Sequence, residues 1–190
     1  MAATQTIFLE PGTQAPDFLL PDAVSGNFYS LEELKGKKGT LILFICNHCP
    51  YVLHILNDFV AKAQSIQDKG ISIIAISSND IENYPQDSPS YMKELATQKK
   101  FNFPYLYDAD QSVAKAYKAA CTPDFFLFDA NLKSYYRGRY DQSNHKNNEK
   151  PHGSDLLQAI DRMLEGKEPD PENKPSLGCN IKWKNNLFPY

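Results

Sequence analysis

Cysteine, methionine and tryptophan are scarce in this 190-residue chain, at four, three and one. Four cysteines over such a length cannot build a disulfide scaffold, so the fold must rest on an apolar core. No apolar run approaches the ~18 residues that a membrane-spanning helix requires. No block of one charge sign occurs and the net charge is only -3, which argues against nucleic acid and anionic lipid as partners. The start, Met1-Ala-Ala-Thr-Gln-Thr6, has no basic region leading into an apolar stretch, so no secretory leader is expected. A soluble, cytoplasmic protein in a reducing compartment is the expectation. Cysteines in that setting more often serve catalysis or metal binding than structural bridging. The chain also lacks a Gly-rich nucleotide loop, and no bound cofactor is expected.

What is present is concentrated at one junction. The solid apolar run from Thr40 to Ile45 gives way to Cys46-Asn47-His48-Cys49 and then to a helical pattern that begins at Pro50. An apolar run on both faces predicts a central strand covered on each side. Val52, Ile55, Leu56, Phe59, Val60, Ala63 and Ile66 recur at helical intervals, with Gly70 placed to cap. Ile71 to Ser77 follows as a second strand, completing a βαβ unit with parallel pairing. Cysteines between a buried strand and a helix start meet unpaired N–H groups and the positive end of the helix dipole. Both favour a thiolate.

The flanking segments read more simply. Gly12 to Phe18 leads into the domain, Ser25-Gly26-Asn27 offers a turn, and Ser30-Leu-Glu-Glu33 reads as a capping box whose helical turn stops at Gly36. Ser88-Pro89 opens a helix to about Lys99. Phe103 to Tyr107 is extended, and Asp110 to Ala119 weakly helical. Phe125 to Phe128, a turn at Asp129 to Asn131, and Ser134 to Tyr140 predict a hairpin. Gln142 to Gly153 reads as a polar, mobile loop, and Leu156, Leu157, Ile160, Met163 and Leu164 as a final amphipathic helix. The order β-α-β-α-β-β-α predicts an α/β fold with helices on both faces of one sheet. Residues 1–166 form the expected redox domain with its N-terminal extension. Residues 167–190 form a tail packing on that domain by Ile181 and Trp183.

Three motifs together carry a resemblance: Cys46-Asn-His-Cys-Pro-Tyr51, Cys121-Thr-Pro-Asp-Phe-Phe126 and Gly178-Cys-Asn-Ile-Lys-Trp183. With Gly12-x-x-Ala15-Pro16-Asp17-Phe18, they make the chain similar to a thioredoxin-like subgroup of the peroxiredoxin (alkyl hydroperoxide reductase/thiol-specific antioxidant) family. The resemblance implies a thioredoxin-like fold with a central mixed sheet and a peroxiredoxin-type N-terminal extension. It also implies a cis-proline at Pro123 facing the cysteines. It departs from the parent families in five places, one of them Ile45, which stands where thioredoxins carry a Trp before their motif. Cys46 stands where peroxiredoxins carry Thr or Ser, if Cys49 is aligned with their peroxidatic cysteine. Ile42 stands where they carry Pro, no arginine lies between Cys121 and Phe126, and Thr40 replaces the buried carboxylate of thioredoxins.

The expected function is a thiol–disulfide oxidoreductase with Cys46 as attacking thiolate and Cys49 as resolving thiol. His48 would stabilise the thiolate and make the disulfide more oxidising. Pro123 would shape a groove in which backbone groups around Thr122 pair with an extended substrate. Electrons would come from a thioredoxin or glutathione system, and pairing with a second copy is a further expectation. Two core thiols at a chance spacing remain the plain alternative. Cys121 reads equally as an additional redox thiol or as a core residue, whereas Cys179 reads as an anchor of the tail in preference to a resolving thiol. His54, His145 and His152 read as solvated. Thiol peroxidase is the second enzymatic reading, and a structural zinc site joining Cys46 and Cys49 to Cys121, Cys179 or a histidine is the non-enzymatic one.

Overall fold

A computed structural model describes residues 3–6, 9–172 and 174–184. The first strand, β1 (Ala3–Gln5), is followed by a small hairpin of β2 (Leu19–Pro21) and β3 (Phe28–Ser30) around the predicted Ser25-Gly26-Asn27 turn. Helix α1 (Leu31–Leu34) starts on the expected capping box: Ser30 Oγ accepts the Glu33 amide, and the Glu33 carboxylate accepts the Ser30 amide. Strand β4 (Gly39–Phe44), helix α2 (Pro50–Asp68) and strand β5 (Ile71–Ser77) form the βαβ unit, with β4 and β5 parallel. Gly70 ends α2 at φ +92°, a conformation for which glycine has no Cβ penalty.

Beyond it come a 3-10 turn (Pro85–Asp87), α3 (Pro89–Lys99), β6 (Tyr105–Tyr107), α4 (Ser112–Ala116) and β7 (Cys121–Thr122). The chain then makes the hairpin β8 (Asp124–Asp129) and β9 (Ser134–Gly138), helix α5 (Ser154–Leu164) and β10 (Leu177–Asn180). The main sheet has the order β6-β5-β4-β8-β9; β6, β5 and β4 are parallel, and β8 and β9 are antiparallel. This is the mixed, thioredoxin-like sheet that the motifs implied.

The period of two along each central strand divides the core. Leu41, Leu43 and Ile45, with Ile73, Ala75, Phe125 and Leu127, face a layer holding Val52, Ile55, Phe59, Met92, Leu156 and Ile160. Ile42 and Phe44, with Ile74, Ile76, Phe126 and Phe128, face the opposite layer of Ala15, Phe18, Leu31, Val113, Tyr117 and Trp183. Helices therefore cover both faces. The N-terminal extension belongs to the second layer, where the Tyr117 hydroxyl donates to the Pro16 carbonyl at 2.7 Å. Each fully buried large apolar side chain contributes about 1.5–3 kcal/mol. That is why a chain without bridges can hold this sheet rigid beneath the C-x-x-C.

Two segments differ from the sequence expectation. Residues 177–180 are a strand, β10, paired with β1 on one side and β7 on the other. A four-residue stretch containing Gly178 has too little periodicity to announce itself. The polar loop after β9 is tied down, because the Asp141 carboxylate accepts the amides of Ser143, His152 and Gly153. His54 is correspondingly not a solvated side chain: its Nε2 lies 3.0 Å from Ser143 Oγ.

Candidate active site

Cys46 to Cys49 bridge the end of β4 and the start of α2, as predicted, and both thiols are buried, at 1% and 0% exposure. The polar partners of this loop come from the turn before α3. Asp87 is fully buried; its Oδ1 accepts the Asn47 amide at 2.8 Å. Its Oδ2 accepts Asn79 Nδ2 at 2.8 Å and contacts His48 Nδ1 at 2.7 Å. The Asn47 side chain is held in turn by the Gln86 carbonyl and the Tyr105 hydroxyl. The His48 ring lies parallel to Tyr84, with centroids 5.9 Å apart.

Asp87 is the functional residue that the sequence reading missed. Thioredoxins place their buried carboxylate on the strand that here carries Thr40, and Thr40 accepts the Gly36 amide instead. The carboxylate is supplied from 41 residues further along the chain than Cys46, by a 3-10 turn that no periodicity marks. It also engages His48, whose Nδ1 lies 2.7 Å from the carboxylate and within 4.8 Å of the Cys46 sulfur.

From the other side, the Thr122–Pro123 peptide bond is cis, as the resemblance implied. Thr122 Oγ1 lies 3.5 Å from Cys46 Sγ, and the Cys49 thiol donates to the Thr122 carbonyl at 3.1 Å. Cys46 and Cys179 both lie close enough to Cys49 for each pair of thiols to influence the other's ionisation. Cys121 turns away, with Sγ 3.6 Å from the Pro123 carbonyl.

The electrostatic surroundings of the two cysteines act on them in opposite directions. Cys49, not Cys46, is the N-cap of α2. The Cys46 thiol, then burial opposing, then the Cys179 thiol and the Val52 and Cys179 amides together lower Cys49 to about 5. The Thr122 carbonyl favours the protonated form of Cys49, but it stands alone against several donors. Cys46 is pushed well up, first because its proton is held by Cys49, then by burial and by the Asp87 carboxylate. The physical reason is position: three residues of loop separate Cys46 from the helix start and bring it to a buried anion. Burial likewise raises Cys121 well above the usual thiol range, and Asp124 adds to it. Cys179 is pushed up to about 12 by burial and by the neighbouring Cys49.

One edge of the Cys121–Thr122 backbone is already taken by β10, with Cys179 opposite Thr122 and Asn180 opposite Cys121. For a metal, the donor atoms with suitable spacing are those of Cys46, His48 and Asp87, all within 4.8 Å of one another. Cys49 is not in that group, and the 2.7 Å His48–Asp87 contact engages two of the three donors. The Arg137 guanidinium, on β9, pairs with Asp124 at 2.8 Å and the Lys118 carbonyl at 2.7 Å.

Residues 11–136 match the AhpC/TSA family. The chain belongs to the AhpC/TSA family. This AhpC/TSA chain is 28% identical over 116 residues to a Mycobacterium tuberculosis protein provisionally named a peroxiredoxin, across 61% of this chain and 68% of that one. An uncharacterized conserved protein from Geobacillus kaustophilus superposes with a TM-score of 0.95 at 46% identity, covering 98% of this chain and 99% of that chain. A hypothetical protein from Sinorhizobium meliloti gives 0.92 at 41% identity, covering 96% and 100%. The thioredoxin domain of a Bacteroides vulgatus thiol–disulfide oxidoreductase shares the fold, at a TM-score of 0.61 and 20% identity over 83% of this chain and 99% of that domain. The protein is thus a thioredoxin-fold member of a redox family. Among the described residues, no helix is long and apolar enough to cross a membrane.

Asp87→Asn keeps the shape but removes the charge. Stability should fall by about 1–3 kcal/mol, because a buried acceptor set is disrupted. Alkylation of Cys46 should quicken, since the carboxylate that opposes its ionisation is gone. Denaturant titration and mass-resolved alkylation measure the two effects. Unchanged Cys46 kinetics would remove Asp87 from the electrostatics of the site.

Proposed function

We propose that this protein is a thiol–disulfide oxidoreductase acting through the Cys46/Cys49 dithiol, in the branch of its family that carries a C-x-H-C site. One observation carries the reading: two buried sulfurs at a strand–helix junction, opposite a cis-proline. Cys49 thiolate attacks one sulfur of a substrate disulfide, forming a mixed disulfide and releasing the other sulfur as a thiolate. Cys46 then loses its proton to the departing group and attacks Cys49. The second product half leaves, and the Cys46–Cys49 disulfide remains. A thioredoxin or glutathione system in the cytoplasm would return the electrons.

Cys46→Ser combined with Cys179→Ala, which leaves no second thiol against Cys49, should hold the substrate covalently on Cys49, and Cys49→Ser should capture nothing. Incubation with a disulfide-containing protein followed by non-reducing electrophoresis reads the difference. Capture by Cys49→Ser alone would restore the opposite assignment.

A second reading, thiol peroxidase, is favoured by the location of the charge on the cysteine that aligns with the family's peroxidatic position. The near-complete burial of both sulfurs also suits a small oxidant better than a folded one. In that reaction peroxide oxygen transfers to Cys49 sulfur as sulfenic acid, and Cys46 condenses with it, releasing water. The engagement of Arg137 by Asp124 weighs against it, because that guanidinium is committed away from Cys49. Stopped-flow oxidation by hydrogen peroxide separates the two readings. Slow oxidation supports exchange, and rapid turnover would make peroxide the substrate.

A further inference from the structure

Strand β10 lies where an extended ligand of the cis-proline loop would lie, and it carries a cysteine to the site. The register sets Cys179 opposite Thr122, the residue whose carbonyl accepts the Cys49 thiol at 3.1 Å. Cys179 and Cys49 belong to one buried cluster and are close enough to influence each other's ionisation. The close approach is built in: a Cβ at Gly178 would meet the Thr122 carbonyl oxygen at 2.1 Å.

Both ends of the strand are tied down. Before it, the Ser176 amide donates to Thr6 Oγ1 at 3.0 Å and the Ser176 hydroxyl to the Gly138 carbonyl at 2.6 Å. After it, the Lys182 amide donates to Asn79 Oδ1 at 2.9 Å, and the Lys182 carbonyl accepts Gln111 Nε2 and the Asp80 amide, each at 2.8 Å. Asn79 is also a partner of Asp87, so one hydrogen-bonded chain joins the tail to the C-x-x-C loop. A tail needing only apolar anchorage would be served by Ile181 and Trp183, both in the core. Cys179 is instead held at a fixed place against a reactive sulfur, which gives it a high effective concentration there.

We propose that Cys179 is a third redox thiol of this site, an internal exchange partner that takes over the disulfide by attacking Cys49. The proposal rests on the reading of Cys46 and Cys49 as a redox dithiol. The step starts from the Cys46–Cys49 disulfide and the Cys179 thiol. Cys179 gives up its proton and its sulfur forms a bond to Cys49 Sγ. The Cys46–Cys49 bond breaks, its electron pair stays on Cys46, and Cys46 takes up the proton. One disulfide and one thiol stand on each side, so no external oxidant or reductant is consumed. The product joins the start of α2 to β10. It leaves Cys46 as a thiol beside Asp87, the state that this buried position favours. The oxidising equivalents are thereby held in a bridge between α2 and β10, and Cys46 is free for a further encounter.

The test uses the full chain, oxidised with glutathione disulfide, quenched in acid, alkylated and mapped by mass. Wild type should form Cys46–Cys49 first and Cys49–Cys179 at its expense. Cys46→Ser, in which Cys179 and β10 are intact, should form Cys49–Cys179 at least tenfold faster than it accumulates glutathione on Cys49. Closing so long a loop should also raise the unfolding temperature of the oxidised Cys46→Ser chain over its reduced form. Absence of Cys49–Cys179 from both chains, with Cys46–Cys49 forming normally in wild type, would overturn the relay and leave the dithiol reading standing. Cys179→Ala tests that reading separately: it should retain the Cys46–Cys49 disulfide. Failure to form it there, while Cys49–Cys179 forms readily in wild type, would sink the dithiol mechanism instead.

Discussion

Replacing Cys49 with serine should reduce disulfide exchange to background and change the pH profile of the remaining thiols. Thiol reactivity depends on the thiolate fraction and on intrinsic nucleophilicity, which falls as the pKa falls. With Cys49 lowered to about 5, it is almost wholly ionised at neutral pH, whereas an ordinary thiol near ~8.5 is only about 3% ionised. At pH 7 the weaker nucleophilicity of a low-pKa sulfur, on the order of 40-fold, roughly cancels that advantage. At pH 5.5 the difference in ionisation grows to several hundredfold, and Cys49 should react on the order of tenfold or more faster than an ordinary thiol. Iodoacetamide kinetics in wild type should therefore be flat above about pH 6 and fall tenfold per unit below about 5. Cys49→Ser should lose that acid-side reactivity and rise only at alkaline pH. A wild-type profile that rises only at alkaline pH would refute the charge assignment.

The same shift has a stability consequence. A group whose folded pKa is depressed stabilises the fold fully above its unfolded pKa, and that contribution is lost as pH falls through the folded value. The Cys49 contribution to the reduced protein should therefore decline from about pH 8.5 towards 5. Cys46 acts with the opposite sign: its raised pKa makes the fold less stable as pH rises above about 8.5. Cys49→Ser should flatten the acid side of the curve and Cys46→Ser the alkaline side, as read by denaturant titration of reduced protein.

Gly178→Ala should have a large effect on both stability and the site. The added methyl would lie 2.1 Å from the Thr122 oxygen and 2.6 Å from its carbonyl carbon. Those atoms are backbone, so relief requires β10 to move away from β7. Overpacking of a rigid site costs about 1–3 kcal/mol and more where the main chain must shift. The strand pair that would give way holds Cys179 against Cys49, so Cys49–Cys179 bridging should fall by more than the loss of stability alone predicts. Gly166→Ala is the control: it lies at positive φ with nothing within 4 Å of an added Cβ, and so should lose stability through backbone strain alone. Wild-type stability and bridging in Gly178→Ala would show that the close approach of β10 to Thr122 does not matter.

Local chemistry made much of this protein legible from its residues. The apolar run of β4, the spacing of α2, the capping box at Ser30 and the hairpin of β8 and β9 each follow from interactions within a few residues, so they were written in order along the chain. The placement of a dithiol at a strand–helix junction is legible for the same reason. What the sequence could not decide was which sulfur carries the charge. That depends on Asp87 from a distant turn, on the carbonyl of Thr122 and on Cys179 from the far end of the chain. Nor could it show that β10 occupies the edge of the cis-proline loop, since a four-residue strand gains its stability from its neighbours and not from its own pattern. Sequence determined that a thiol pair would sit at this junction. Only tertiary structure, by bringing remote donors and a carboxylate within a few ångströms of two buried sulfurs, decided how that pair is charged and what lies against it.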